Sequence, residues 1–127
     1  MPSPPASLLV VDGANVVGAR PEGEWWKDRA GAAARLHEEL MTADTSYDEV
    51  VLVLEGQAKR GVRAGKDAHV RTVHAPGNGD DAIVRATRLG VEKGRRVAVV
   101  TADRRLKDRV HAVGATTIGP TWLLERL

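Results

Sequence analysis

The chain has 127 residues, 43% of them hydrophobic, with a formal net charge of +2. That length fits a single domain over residues 1–127 and excludes the need for a second core. With no cysteine, neither disulfides nor a thiolate zinc site can form. Three Trp, one Tyr and no Phe leave the core to Val, Leu, Ile and Ala, a composition suited to helices packed on a parallel sheet.

Met1-Pro2-Ser3-Pro4-Pro5-Ala6-Ser7 lacks a positive leader, and the apolar run after it is too short for a signal peptide or a membrane span. A cytoplasmic protein with no membrane partner is the expectation. Leu8 to Val11 reads as a buried strand ending in Asp12-Gly13-Ala14-Asn15. Trp26, Ala30, Ala33, His37, Leu40 and Met41 recur at helical spacing and predict a helix from about Glu24 to Ala43. That phase puts Trp26 in the core. Trp25, about 100° around, is either a stacking surface for a base or a rim residue.

Glu49 to Leu54 predicts the second strand, with Glu55 at its end. Glu55 to Ala68 is Gly-rich and without period, which suggests an exposed loop holding at most one helical turn. Between Ala58 and Arg71 lie Lys59, Arg60, Arg63, Lys66 and Arg71 against a single Asp67. Such a patch suits a phosphate backbone, and next to acids it suits one held near a metal. His69 to His74 is the third strand, and Asp81 to Lys93 a helix opened by Gly79-Asp80-Asp81. Arg96 to Thr101 is the fourth strand and runs into Asp103. Arg104 to Ala112 is a helix, Ala115 to Ile118 the fifth strand, and Pro120 starts a last helix through Leu127. Strands alternating with helices predict a three-layer α/β fold with a parallel sheet.

In such a sheet ligands bind at the carboxyl ends of the strands. Asp12, the Asp80-Asp81 pair and Asp103 all reach that edge. Each also has a plain structural reading: Asp12 could bond the turn amides, Asp80 or Asp81 could cap its helix, and Asp103 could cap the next. Clustered carboxylates repel by roughly 4 kcal/mol at about 4 Å in an effective dielectric near 20, a cost that a divalent cation reverses. Gly61 to Asp67 lacks P-loop spacing, and Asp12 to Gly18 lacks the dinucleotide glycine pattern. Oxygen-only donors, with His37, His69, His74 and His111 away from the acids, select Mg²⁺ or Mn²⁺ over zinc.

The Asp-Gly-x-Asn after the first strand, the Asp-Asp opening a middle helix and the Thr-x-Asp after the fourth strand resemble the NYN domains, relatives of the PIN nucleases. The likeness is closest to the bacterial YacP-like branch and extends through Gly114-Ala115. It implies a Rossmann-like PIN/NYN fold with five parallel strands in the order 3-2-1-4-5. It also implies Mg²⁺- or Mn²⁺-dependent endoribonuclease activity on single-stranded or locally open RNA. Asp12, Asp81 and Asp103 would be the metal-site acids, with Asp80 a fourth. Asn15 would hold an ion-bound water or the scissile phosphate, and Thr101 would orient a carboxylate. Glu55, where relatives tend to carry Asp, and Asp108, one residue beyond the expected spacing, are further candidate acids. Lys59, Arg60, Arg63, Lys66 and Trp25 are the candidate RNA contacts. Ribosome association and oligomeric state stay open. The departures at Glu55 and Asp108 motivate an alternative, a non-catalytic RNA-binding module of the same fold. A phosphohydrolase using Asp12 as nucleophile is a weaker alternative, because the expected Asp-x-Asp has Ala14 at its third position.

Overall fold

The computed structural model describes residues 6–21 and 24–127. The reading of Met1 to Pro5, and Glu22 and Gly23 of the loop before Trp25, lie outside the described residues. β1 (Ser7–Asp12) and β2 (Glu49–Leu54) are buried along their whole length. They pair in parallel with Val11 opposite Leu52, and β1 pairs on its other side with β5 (Arg96–Val100). Strands covered on both faces call for apolar residues through their interior, which is why Leu8 to Val11, Val50 to Leu54 and Val97 to Val100 run continuously apolar instead of alternating.

β4 (Val70–His74) joins β2 in parallel and β6 (Thr116–Ile118) joins β5 in parallel. A short antiparallel strand, β3 (Gly65–Asp67), extends the sheet beyond β4. The order is β3-β4-β2-β1-β5-β6, so the five parallel strands follow the expected 3-2-1-4-5 and the sheet has six strands in all. β3 is fully exposed and three residues long, so no hydrophobic pattern marked it within the expected loop.

Side chains alternate along the strands and divide the core in two. Leu9 and Val11 pack with α1 (Gly13–Gly18), α2 (Arg29–Thr42) and α5 (Pro120–Leu124) on one face, a cluster that includes Val16, Leu36, Leu40 and Leu123. Leu8 and Val10 pack with α3 (Gly79–Glu92) and α4 (Arg104–Ala112) on the other, with Ile83, Val84, Leu106 and Val110. Among the described residues no helix is long and apolar enough to cross a membrane.

The helix expected from Glu24 to Ala43 is broken. Trp25–Lys27 form a 3-10 turn, and Asp28 then caps α2, its carboxylate accepting from Gly31 N at 2.8 Å. The break shifts the helical phase, so Trp26 is 54% exposed instead of core. Trp25 is the one that packs against the apolar cluster. Only six residues long and holding two glycines, α1 was too short to show a period. It begins directly beneath β2: a Cβ on Gly13 would lie 2.7 Å from Val53 O. The Asp-Gly step thus lets the chain turn from β1 into a helix at the sheet's edge.

Candidate metal and RNA site

Asp12 ends β1 and is the N-cap of α1, only 7% exposed. One carboxylate oxygen accepts from Asn15 N at 3.3 Å and the other from Thr101 Oγ1 at 3.0 Å. The Thr101 hydroxyl, fully buried, also accepts from Asp103 N at 3.1 Å. Asn15 Oδ1 accepts from Ala102 N at 2.8 Å, which leaves its amide NH₂ as the group able to donate outward. Asp103 caps α4 through Leu106 N at 3.1 Å. These bonds tie the end of β1, the start of α1 and the β5–α4 turn into one unit. Asp12 and Asp103 therefore do act as caps, and both also stand at the carboxyl edge.

The pair opening α3 divides. Neither Asp80 nor Asp81 is the cap: Asn78 holds that place, its Oδ1 accepting from Asp80 N at 3.1 Å. Asp80 faces the acids of the edge, and its carboxyl is held above the usual 3.8 by burial first and then by repulsion from Asp103. Arg109 pulls it down and Asp81 pushes it up further. Asp81 is turned outward, its side chain 81% exposed and paired with Arg109 at 2.9 Å. Arg109, one helix over on α4, is a member of this neighbourhood that sequence pattern alone did not single out. Its place in the last turn of α4 was readable, but its neighbours on α3 are a product of packing.

Burial raises the Asp12 carboxyl above 3.8 as well. The bonds from Thr101 and Asn15 oppose that shift, and the charges of Asp80 and Glu55 add to it. Glu55 follows β2 and reaches the start of α3: a Cβ on Gly79 would lie 3.1 Å from Glu55 Oε1. Glu55, Asp12, Asp80 and Asp103 thus line one edge of the sheet. Asp108 does not join them. It is exposed on α4, on the side away from Leu106 and Val110, which face the core.

The basic loop is divided too. Gly56–Gly61 form a 3-10 turn directly after Glu55, and Lys59 Nζ donates to Ala75 O at 3.0 Å. Lys59 and Arg60 line an open groove with Gln57 and His74, whose Nε2 lies 2.7 Å from Val62 O. Arg63 is exposed beyond this turn. Lys66 is placed elsewhere: on β3, its amine pairs at 3.3 Å with Glu49, at the opposite, amino end of β2, where Arg95 also approaches at 3.5 Å. Lys66 is therefore separated from the acids that it was grouped with. Trp25 lies on the α1 side of the edge, in a cleft that also touches Gly13 and Glu55.

Among the described residues, no three His, Asp or Glu side chains close on a single point as a metal cage. The donor chemistry is nonetheless that of a hard cation, since every acid at the edge offers oxygen. Mg²⁺ keeps several waters and is commonly held through one or two carboxylates, so Asp12 and Asp80, each raised by burial first and then by neighbouring carboxylates, fit it.

Residues 9–127 match the family model described as the YacP-like NYN domain. Two crystal structures of Rae1 (YacP) from Bacillus subtilis share the fold. One aligns with a TM-score of 0.69 at 20% identity, covering 94% of this chain and 72% of that one. Its W164L mutant aligns at 0.65 and 18% identity, covering 94% and 73%. No curated protein matches the chain.

Proposed function

The chain belongs to the YacP-like NYN domain family, a membership that supports a nuclease or RNA-related function, and from that premise we propose that it is an endoribonuclease that depends on Mg²⁺ or Mn²⁺. The observation that carries the reading is that Asp12, Asp80, Asp103 and Glu55, drawn from four separate segments, line one edge of the sheet. Asp12 and Asp80 would hold the ion, with Asp103 and Glu55 completing the negative field around it. Bound there, a divalent cation would lower the pKa of water and offset charge on the leaving oxygen.

The protein's own groups supply the positioning. The Thr101 hydroxyl fixes one Asp12 oxygen and the Asn15 backbone the other, so the carboxylate cannot rotate away from the edge. The outward NH₂ of Asn15 is placed to donate to a phosphate oxygen. Lys59 and Arg60 lie in the turn after Glu55, where their charge offsets that of the RNA backbone approaching an acidic edge. Access from solvent through an open groove favours a single strand or a locally open region over a stiff duplex. Asp81, paired with Arg109, has the outer position and steadies α4 against α3.

The test is cleavage of an end-labelled single-stranded RNA by wild type and by Asp12→Asn, with Mg²⁺, with Mn²⁺ and with chelator. Cleavage that requires the ion and falls at least about a hundredfold in Asp12→Asn, a loss of about 2.7 kcal/mol in barrier terms, is the expected result. Equal rates in wild type and variant, or cleavage indifferent to chelator, would reject it. The absence of a three-acid cage among the described residues favours one second reading, an RNA-binding module without catalysis. RNA binding by wild type with no cleavage under any ion would establish that alternative.

A further inference from the structure

On the α1 side of the acidic edge lies a cleft of about 220 Å³ that the reaction as described does not use. Val17, Ala33 and Leu54 give it aliphatic surface, Trp25 gives it a flat aromatic wall, and Arg29 and Glu55 are its charged members. The Arg29 guanidinium lies over the indole, 5.4 Å from the ring centroid. Trp26 meets Trp25 edge-on, with ring centroids 6.0 Å apart and planes at 87°, which limits how far the Trp25 ring can tilt. Gly13, next to Asp12, and Glu55, against the start of α3, also line the cleft, so its inner end is continuous with the acids.

Size and chemistry narrow the occupant. The cleft is smaller than the roughly 300–1,000 Å³ of pockets that enclose a drug-sized molecule, so it admits one planar ring system and not a whole nucleotide or a duplex. An aliphatic or plain aromatic group would use only the apolar wall of the cleft, whereas a nucleobase edge also carries acceptors and donors for the exposed Arg29 and the half-buried Glu55 at its rim. We propose that this cleft receives one unpaired base of the RNA strand whose phosphate lies at the carboxylates. Trp25 is its stacking wall and Arg29 its donor to the base edge. The proposal rests on the ribonuclease reading and adds to it a determinant of where the strand is cut.

The test reads binding and not cleavage. The indole N–H resonances of the protein are followed by NMR without divalent ions, during titration with each of the four nucleoside 5′-monophosphates and with ribose 5-phosphate, which has the sugar and phosphate but no base. The nucleotides should move the Trp25 resonance and leave that of Trp122 in place, and ribose 5-phosphate should move neither. Trp25→Leu should weaken nucleotide binding about tenfold or more, in keeping with stacking worth about 1–3 kcal/mol per base. Trp25→Phe, which keeps a ring, should bind within a few-fold of wild type, separating lost stacking from a damaged fold. A single-stranded tetranucleotide should bind more tightly than any mononucleotide.

Ribose 5-phosphate binding as well as the nucleotides, an unmoved Trp25 resonance at saturation, or wild-type affinity in Trp25→Leu would overturn the proposal. Tighter binding of a mononucleotide than of the tetranucleotide would also overturn it, by assigning the cleft to a free nucleotide. Base binding by a protein that cleaves no RNA would refute the ribonuclease reading while supporting the cleft.

Discussion

Thr101→Val removes one hydroxyl and changes little in shape, and that hydroxyl makes two bonds in a fully buried position. It donates to Asp12 Oδ2 at 3.0 Å and accepts from Asp103 N at 3.1 Å. A bond to a charged group contributes about 1.5–3 kcal/mol and a neutral one about 0.5–1.5. The added methyl burial of Val returns about 0.8 kcal/mol. The expected loss is therefore about 2–3 kcal/mol, which for a chain of this length lowers Tm by about 10 °C. The loss should also depend on pH. The hydroxyl stabilises the Asp12 anion against the burial that raises its pKa, so without it the folded-state pKa rises further. Between the two folded-state values the native variant binds a proton that native wild type does not, and its deficit shrinks as pH falls. Urea unfolding of both proteins in chelator, at about pH 7 and at about pH 4.5, measures this directly. A deficit below about 0.5 kcal/mol, or one of equal size at both pH values, would refute the proposed coupling of Thr101 to Asp12.

Other perturbations separate the parts of the edge. Asp12 and Asp80 both have pKa values raised above 3.8 in the folded chain. The unfolded chain therefore releases these protons first, and metal-free stability should fall as pH rises from about 3.8 through the folded values. Asp12→Asn removes the Asp12 share, so chemical denaturation in chelator should show the variant gaining on wild type as pH climbs through that window. Lys59→Ala with Arg60→Ala should reduce the slope of RNA affinity against salt, on logarithmic axes, by up to about 1.4. Lys66→Ala should leave that slope unchanged in the same binding titration, because it pairs with Glu49 at the amino end of β2, away from the acidic edge. Gly13→Ala forces a Cβ within 2.7 Å of Val53 O, and denaturant unfolding should show a loss of about 1–3 kcal/mol.

Much of the fold was legible because its strands are central and parallel. β1, β2 and β5 run apolar without interruption between Gly, Asp and Pro, and the order of the parallel strands followed from the family resemblance. The elements that escaped are those whose formation depends on partners. α1 is too short for a period, β3 pairs through its backbone with only exposed side chains, and Asp28 interrupts a helical phase that continued across it. Asp12 and Asp103 were legible as acids that follow strands, and the resemblance put Asp81 in the metal site with Asp80 as a fourth. In the structure Asp80 is the one turned toward the edge, because Asn78 sets the first turn of α3 and Arg109 holds Asp81 outward. Asp108 and Lys66 had the right chemistry in the sequence. Their helix phase and strand placement put them on other surfaces.

Metal-linked stability tests the central claim, that Asp12 and Asp80 hold a divalent cation at this edge, without dependence on trace nuclease. Thermal melts of wild type, Asp12→Asn, Asp80→Asn and Asp81→Asn are compared across a Mn²⁺ titration. Wild type should gain about 1.4 kcal/mol for each tenfold rise in ion above its Kd. Asp12→Asn and Asp80→Asn should lose most of that gain and Asp81→Asn should keep most of it. An equal response to Mn²⁺ in wild type, Asp12→Asn and Asp80→Asn, or no response in wild type, would contradict the account.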